Sequence, residues 1–317
     1  MKRFVLAFLF ILISFKTIAN DAVHVAYNIS DSYAVYTLLS INSILKNNKS
    51  GSEYTFWILE NNVSEKNKKL MKKYVEKRNQ KINFISLHQS SLYQTYFPLI
   101  KHMYSSQYKH VSFISFMRLF IPSLLPDEVS KVLYMDADTL VMQDLKEIFQ
   151  TDLKNHFFAM VEDVSPDLRR ICSTDIYYNA GVILINTDKW KKNNLFEKII
   201  SSFEKNPKKY KGYGEQDLLN CLFNNDIVTL HPKWNNQIFR TLHSADMNNT
   251  GIFHYIAYEK PWNSFGSAAI FKPYKIYLHY WNSSGLRRYK YKAVYDRIKA
   301  HFQFNHWKSL KDLLKHS

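Results

Sequence analysis

The sequence predicts an α/β domain with a mostly parallel central sheet flanked by helices. Short apolar runs rich in Val, Ile, Tyr and Phe recur along the chain, and helix-length segments separate them. The 317 residues, 46% of them hydrophobic, suffice for a sizeable core. Length alone suggests about two domains, but one α/β domain can run to ~250 residues.

From Ala22 the elements alternate. HVAYN reads as the first strand, ISDSY as a polar turn, and VYTLLSINSILKNN as an amphipathic helix. YTFWILE is the second strand, VSEKNKKLMKKYVEKRN a basic surface helix and KINFISL the third strand. After a Tyr-rich loop, SFISFMRLFIPSLLP is helical and ends at its prolines. VLYMDADTLV is the fourth strand, FFAMVED the fifth, and YYNAGVILINTDKW the sixth, half polar and half apolar. Past about Gly285 the chain mixes Lys and Arg with Tyr, Phe and Trp. This stretch, 286–317, reads as a basic amphipathic tail suited to an anionic membrane surface.

The N-terminus has its own pattern. Met1-Lys2-Arg3 precedes an apolar run from Phe4 to Phe15, and Thr17 and Ala19 suit a small-x-small cleavage site. Residues 1–19 therefore predict an export signal, cleaved after Ala19, or a short anchor. The run is short for a membrane span, which needs ~20 apolar residues. A shallow seat on the cytoplasmic face of the membrane is the competing arrangement.

Lys plus Arg exceed Asp plus Glu by 43 − 27, a net charge of +16. That balance favours an anionic partner: a membrane surface, a phosphorylated glycolipid or nucleic acid. No nucleic-acid-binding module is recognisable, so nucleic acid is not expected. Glycine is scarce at 7, and neither GxGxxG nor a P-loop occurs, which argues against a Gly-rich phosphate cradle. Cys172 and Cys221 lie in no metal spacing, and two buried thiols are expected rather than a disulfide.

The chemistry centres on KVLYMDADTLVMQDL. Asp136 and Asp138 stand where an apolar strand ends, and in an extended chain residues i and i+2 share a face. Two unpaired carboxylates there would repel each other, which a divalent cation resolves. Surface carboxylates or a helix start are the bland alternative. In IFHYIAYEKPWN, His254 is a candidate third ligand and Lys260 follows six residues later; a structural histidine is the alternative. Carboxylates suit Mg²⁺ or Mn²⁺, and an added imidazole tips the choice towards Mn²⁺. A cation with a nearby lysine is what a diphosphate leaving group needs. In YGEQDLLNCLF, Glu215, Gln216 and Asp217 open a helical pattern as site residues or as N-terminal acids. In YYNAGVILIN, Asn179-Ala180-Gly181 lets backbone approach a ligand, or is a turn entering a strand.

Taken in order, AYNISDSY with SINSILKNN, SFMRLFIPSLLP, VLYMDADTLV, YYNAGVILINTDKW, GEQDLLN, KWNNQ and HYIAYEKPWN resemble glycosyltransferase family 8 over roughly 22–285. The likeness is strongest to bacterial enzymes that add glucose or galactose to lipopolysaccharide core. It implies a GT-A fold, a UDP-sugar donor, Mn²⁺ and retention of anomeric configuration. By resemblance Asp136, Asp138 and His254 hold the metal, and Lys260 contacts the diphosphate. Arg118, Asp163, Asn179 and Gln216 surround the donor sugar with Glu215 beside them. Ala26, Tyr27 and Tyr33 match the nucleotide-binding loop, and Ala137 counts with the donor contacts. Ser30 and Ser32 stand where the family often has an acid and an amide, and Ala257 replaces a common glycine beside the diphosphate.

The implied activity is a metal-dependent retaining hexosyltransferase acting on a glycan or glycolipid. Gln216 is a poor nucleophile, so it is expected to stabilise a cationic sugar during front-face attack, with Glu215 and Asp163 beside it. A nucleotide-sugar hydrolase and a non-catalytic carbohydrate- or nucleic-acid-binding protein are the alternatives.

Overall fold

The structure, a computed structural model, describes residues 22–107, 113–210, 213–238, 247–256, 260–262, 271–286 and 289. The N-terminal segment 1–19, Ala257 and nearly all of the 286–317 tail lie outside the described residues. The described strands are β1 (Val23–Ser30), β2 (Tyr54–Asn61), β3 (Lys81–Ser86), β4 (Lys131–Met135) and β5 (Thr139–Val141). They continue with β6 (Phe158–Glu162), β7 (Tyr178–Asn186), β8 (Ile227–Thr229), β9 (Asn236–Gln237) and β10 (Ile252–His254).

Seven strands form one sheet in the order β3-β2-β1-β4-β7-β6-β8. All its pairings are parallel except those of β7, which runs against both β4 and β6. The carboxyl ends of β1, β4 and β6 therefore share an edge with the amino end of β7. Ligands bind at that edge in α/β sheets. Apolar clusters fill both faces: Phe116, Phe120, Phe196 and Trp190 belong to one, and Tyr27, Phe56, Leu133 and Trp234 to the other.

A small second sheet, β5-β10-β9, packs beyond that edge. The run VLYMDADTLV is thus two strands in two sheets, not one. Asp136-Ala137-Asp138 forms the corner between them. The alternation of apolar residues hides the corner, because it continues on both sides of it. Across the corner His254 pairs with Thr139, and the Tyr255 N–H donates to the Asp138 carbonyl at 3.0 Å. Strand register therefore brings His254 beside the aspartates from 116 residues away, the difference of their numbers 254 and 138.

Three helical expectations change. Helix Ala34–Lys46 is buried at every position from Tyr36 to Ile44, so it is a central rather than an amphipathic helix. Its small polar residues make this possible: Ser40 Oγ lies 2.9 Å from the Tyr27 hydroxyl and 3.0 Å from Thr139 Oγ1, and Ser43 Oγ accepts from the Val141 N–H. The Tyr-rich loop is largely the helix Ser91–Gln107. Tyr93, Phe97 and Ile100 recur at helical spacing, and the Tyr93 ring meets Phe97 at 4.8 Å and Phe120 at 5.7 Å. The segment around Arg118 is helical in three pieces, Phe113–Phe116, Met117–Phe120 and Ile121–Leu124. Pro122 sits in the first turn of the last piece, where its missing N–H costs nothing, so it does not end the helix.

The cysteines are also corrected: Cys172 and Cys221 form a disulfide across 49 residues. It ties the short helix Arg169–Cys172 to the helix Glu215–Phe223. Nothing in the spacing of the two residues signals the contact, which the sheet creates by placing both helices together. Closing a loop of this length contributes ~2–4 kcal/mol to stability, mainly by restricting the unfolded chain. Replacing both cysteines by serine lowers the unfolding free energy by about that amount. Reductant shifts the melting curve of the wild type towards that of the double variant and leaves the variant unmoved. A wild-type curve indifferent to reductant shows the bond absent.

Candidate functional site

The shared edge opens into a cleft of about 410 Å³. Nine expected site residues line it: Asp136, Asp138, His254, Lys260, Arg118, Asp163, Asn179, Glu215 and Gln216. Asp136 and Asp163 follow the ends of β4 and β6, and Asn179 opens the reversed β7.

The strand β7 is irregular where the site needs it. Opposite β6 the register shifts between Met160, which faces Ile183, and Val161, which faces Asn179. The bulge releases backbone groups of Ala180 from the ladder. The Ala180 N–H donates to Gln216 Oε1 at 2.8 Å, and its carbonyl accepts from Arg118 Nη1. Next to it the Gly181 carbonyl accepts from the Asp136 N–H at 2.8 Å. Gly181 lines the cleft and also makes room for the imidazole: a Cβ there would lie 2.0 Å from His254 Cε1.

Asp136, Asp138 and His254 each offer one atom to a common point, all within 4.8 Å of one another. His254 Nε2 is 3.6 Å from Asp136 Oδ2 and 3.3 Å from Asp138 Oδ1. His254 Nδ1 lies 2.9 Å from Asn235 Oδ1, an acceptor, so Nδ1 carries a proton and Nε2 is the ring nitrogen turned to the carboxylates. Asp138 Oδ1 is buried and has no hydrogen-bond donor. Such a cluster of electron pairs fits a cation, whose bonds of ~2.1 Å bring ligand atoms to ~3 Å apart.

Two cations of the protein offset this charge. Arg118, 7% exposed, sits 3.2 Å from Asp136 and 3.3 Å from Glu215, and stacks over the Tyr134 ring at 4.8 Å. Burial opposes its charge, but Asp136 and Glu215 more than compensate and keep the guanidinium protonated. Lys260 Nζ donates to Asp138 Oδ2 at 2.6 Å and to the Tyr255 carbonyl at 2.5 Å. Burial works against ionisation of Asp138, yet Lys260 and His254 outweigh it and hold the carboxyl below the usual range. Glu215 behaves oppositely: burial pushes its carboxyl up to about 7, against the pull of Arg118.

On the far wall Asp163 Oδ2 accepts from Asn179 Nδ2 at 2.9 Å and from Gln216 Nε2 at 3.4 Å. Its Oδ1 accepts from the Ser165 N–H at 2.9 Å. Both ends of the Gln216 amide are thereby oriented, and its Oε1 keeps a second lone pair. Asp217 faces away, accepting from the Tyr213 N–H at 2.9 Å and from the Tyr177 hydroxyl. It ties the first turn of the helix to the chain before it, while Glu215 and Gln216 line the cleft.

Four expected residues are not among those lining the cleft. Ala26 and Tyr27 belong to β1, not to a loop, and both are fully buried. The Tyr27 hydroxyl reaches Ser40, and burial raises its pKa despite that bond. Their side chains build core, which leaves backbone as what they can offer a ligand. Ala137 is 8% exposed and packs inward at the corner. Tyr33 lies in the turn Asp31–Tyr33, edge-on to Trp262 at 6.2 Å and 88°. Sequence reasoning missed Asn235, which orients His254, and Tyr134, whose hydroxyl donates to Asp136 at 2.5 Å. Asn235 lay in view within KWNNQ, but nothing in that stretch signals its partner.

Comparison with known proteins agrees with this architecture. The profile of glycosyl transferase family 8 matches residues 24–266. General stress protein A of Bacillus subtilis (strain 168) is 25% identical over 287 residues, covering 84% of this chain and 97% of that protein. A lipopolysaccharide 1,2-glucosyltransferase of Escherichia coli is 29% identical over 278 residues, or 79% of this chain and 76% of that protein. Among solved structures, the galactosyltransferase LgtC in complex with donor and acceptor sugar analogs shares the fold. Its TM-score is 0.65 at 21% identity, over 82% of this chain and 99% of that one. The profile spans the corner aspartates, the bulged strand, His254 and Lys260, and the chain belongs to glycosyl transferase family 8: it is a glycosyltransferase.

Proposed function

We propose that this glycosyltransferase is a metal-dependent, retaining hexosyltransferase that moves glucose or galactose from a UDP-sugar to a glycan or glycolipid. The observation that carries the reading is the cluster of Asp136, Asp138 and His254 Nε2, bordered by Lys260. Carboxylate oxygens with one imidazole suit Mn²⁺, with Mg²⁺ the alternative. When bound, the ion supplies Lewis-acid stabilisation of the departing diphosphate. Lys260, which borders the cluster through Asp138, would add its positive charge beside the same diphosphate. The similarity to the Escherichia coli lipopolysaccharide glucosyltransferase supports lipopolysaccharide core as the acceptor class.

In this reading the acceptor hydroxyl attacks the anomeric carbon on the face from which phosphate leaves. The bond from that carbon to the phosphate oxygen breaks, and the departing phosphate takes the hydroxyl proton. Gln216 Oε1, held by the Ala180 N–H, faces the positive charge that develops on the sugar. Asp163 fixes Gln216 and Asn179, and Glu215 adds a carboxyl at the sugar that Arg118 and Ser115 hold in place.

We also propose that 1–19 directs export or anchors the chain, and that 286–317 binds anionic membrane beside a catalytic domain over 22–285. The Cys172–Cys221 bond supports export, since disulfides persist in oxidising compartments. Seating on the cytoplasmic face remains the competing arrangement. No helix among the described residues is long and apolar enough to cross a membrane.

Asp138→Asn abolishes Mn²⁺-dependent UDP release across a screen of UDP-sugars while its melting temperature stays near wild type. Full activity in that variant, or in wild type under excess chelator, excludes the metal reading. Product on a glycolipid, rather than free sugar alone, separates transfer from hydrolysis.

A pH series tests the state of Glu215. Its folded carboxyl titrates at about 7 against 4.5 for the free group, so the folded state binds the proton more tightly. Stability from this group is full below pH 4.5 and is lost as pH rises through about 7. Metal-free wild type therefore loses melting temperature across that window, and Glu215→Gln lacks that component. Parallel curves mean that Glu215 is ionised throughout and paired with Arg118.

Cell fractionation tests the two ends of the chain. Mature protein begins at Asn20, and truncation after Gly285 weakens binding to anionic liposomes without loss of donor hydrolysis. An intact Met1 in a cytosolic fraction rules out export, and undiminished liposome binding rules out the tail.

A further inference from the structure

We infer that Asn235 is a positioning residue: it fixes the His254 ring with a proton on Nδ1 and Nε2 turned to the carboxylate pair, and it links that histidine to the sugar-facing wall through Asn179 and Asp163. The inference deepens the metal reading above and rests on it for its functional meaning, though not for its geometry.

The direction of the chain follows from one backbone donor. The Gly181 N–H can only donate, and it lies 3.0 Å from the Asn179 side-chain atom assigned as Oδ1. That atom must therefore be the oxygen, which leaves Asn179 Nδ2 to donate to Asp163 Oδ2 at 2.9 Å. The Asn235 atom 2.9 Å from Asn179 Oδ1 must then be its nitrogen, which turns Asn235 Oδ1 towards His254. Facing an acceptor at 2.9 Å, His254 Nδ1 must hold the proton. No amide in the series can flip without setting two acceptors or two donors against each other in a buried site. Asn235 is 2% exposed and His254 4%, so water does not offset such a clash.

Register explains why Asn235 occupies this place. It immediately precedes β9, where Asn236 pairs with Phe253 and Gln237 with His254. On the other side, the ring occupies the space that a Cβ at Gly181 would fill. The imidazole is thus fixed in position by Gly181 and in tautomer by Asn235. A partner that accepts from the distal ring nitrogen makes a ligating histidine more basic and better aimed, and losing it typically costs ~10–100-fold in metal affinity.

The test reads the ring and the ion separately. Long-range proton–nitrogen spectra of metal-free, ¹⁵N-histidine-labelled protein at pH 8, with His254 assigned by its loss in His254→Gln, report which nitrogen is protonated. Wild type shows Nδ1 protonated. Asn235→Leu removes the preference for Nδ1, and Asn235→Asp, which keeps an acceptor towards Nδ1 but turns its second oxygen on Asn179 Oδ1, retains Nδ1–H and loses the link to Asn179. Titration with Mn²⁺ followed by electron paramagnetic resonance shows binding weakened ~10–100-fold in Asn235→Leu and only a few-fold in Asn235→Asp. A wild-type ring protonated on Nε2 alone overturns the inference without any variant. Equal Mn²⁺ affinity in Asn235→Leu and wild type overturns it too. If Asn235→Leu does not fold, the wild-type ring and Asn235→Asp decide. A wild type with Nδ1–H that binds no Mn²⁺ sinks the metal reading and leaves the tautomer assignment standing.

Discussion

The rest of this molecule is arranged around concentrated negative charge at one sheet edge. Asp136 and Asp138 face each other across His254 Nε2, and Glu215 lies one arginine away. In a low-dielectric setting like charges at these separations do not coexist without compensation. Arg118 supplies part of it from below, buried and shared between Asp136 and Glu215. Lys260 supplies part from the rim, where it holds Asp138. Neither reaches the Asp138 Oδ1 that faces His254. The residual demand for positive charge is what makes the cleft a place for a cation and an anionic leaving group together.

The backbone that meets this demand is built by departures from regularity. A sheet of parallel strands alone would present only carboxyl ends at the edge. Reversing β7 brings Tyr178 to Gly181 there as well, and the bulge opposite Met160 and Val161 frees Ala180 to hold Gln216 and Arg118. The corner at Ala137 then carries the chain into a second sheet, whose short strands deliver His254. Each irregularity lies at the site and none lies in the pairing of β1 with β2, which runs unbroken for eight residues.

That division explains what the sequence revealed. The long strands and the Asp136–Asp138 pair were legible because apolar periodicity and a charged pair at its end are local patterns. His254 and Lys260 were legible through their order in a family pattern rather than through their own surroundings. The corner was not, since alternation carries straight through VLYMDADTLV. Strands of two or three residues such as β9 and β10 leave too little pattern to read. The Cys172–Cys221 pair, the role of Gly181 and the partner of Asn235 are all long-range contacts between residues that look ordinary alone. The aromatic spacing of Tyr93, Phe97 and Ile100 was local and helical, yet the polar residues among them made the segment read as a loop.

The choice of amides between the two halves of the cleft follows from the same electrostatics. A ligating histidine is commonly oriented by a carboxylate. Here a carboxylate directly behind His254 would add another buried anion beside Asp136 and Asp138. Asn235 and Asn179 pass the orientation from Asp163 to the imidazole instead, each accepting at one end and donating at the other. They carry direction without carrying charge. The anion that anchors the series sits on the far wall, where Asp163 also receives the Ser165 N–H and the Gln216 amide. The residue that orients the group facing the sugar and the residue that terminates the histidine's support are therefore one and the same. A displacement of Asp163 acts on both walls of the cleft, although only one of them touches it.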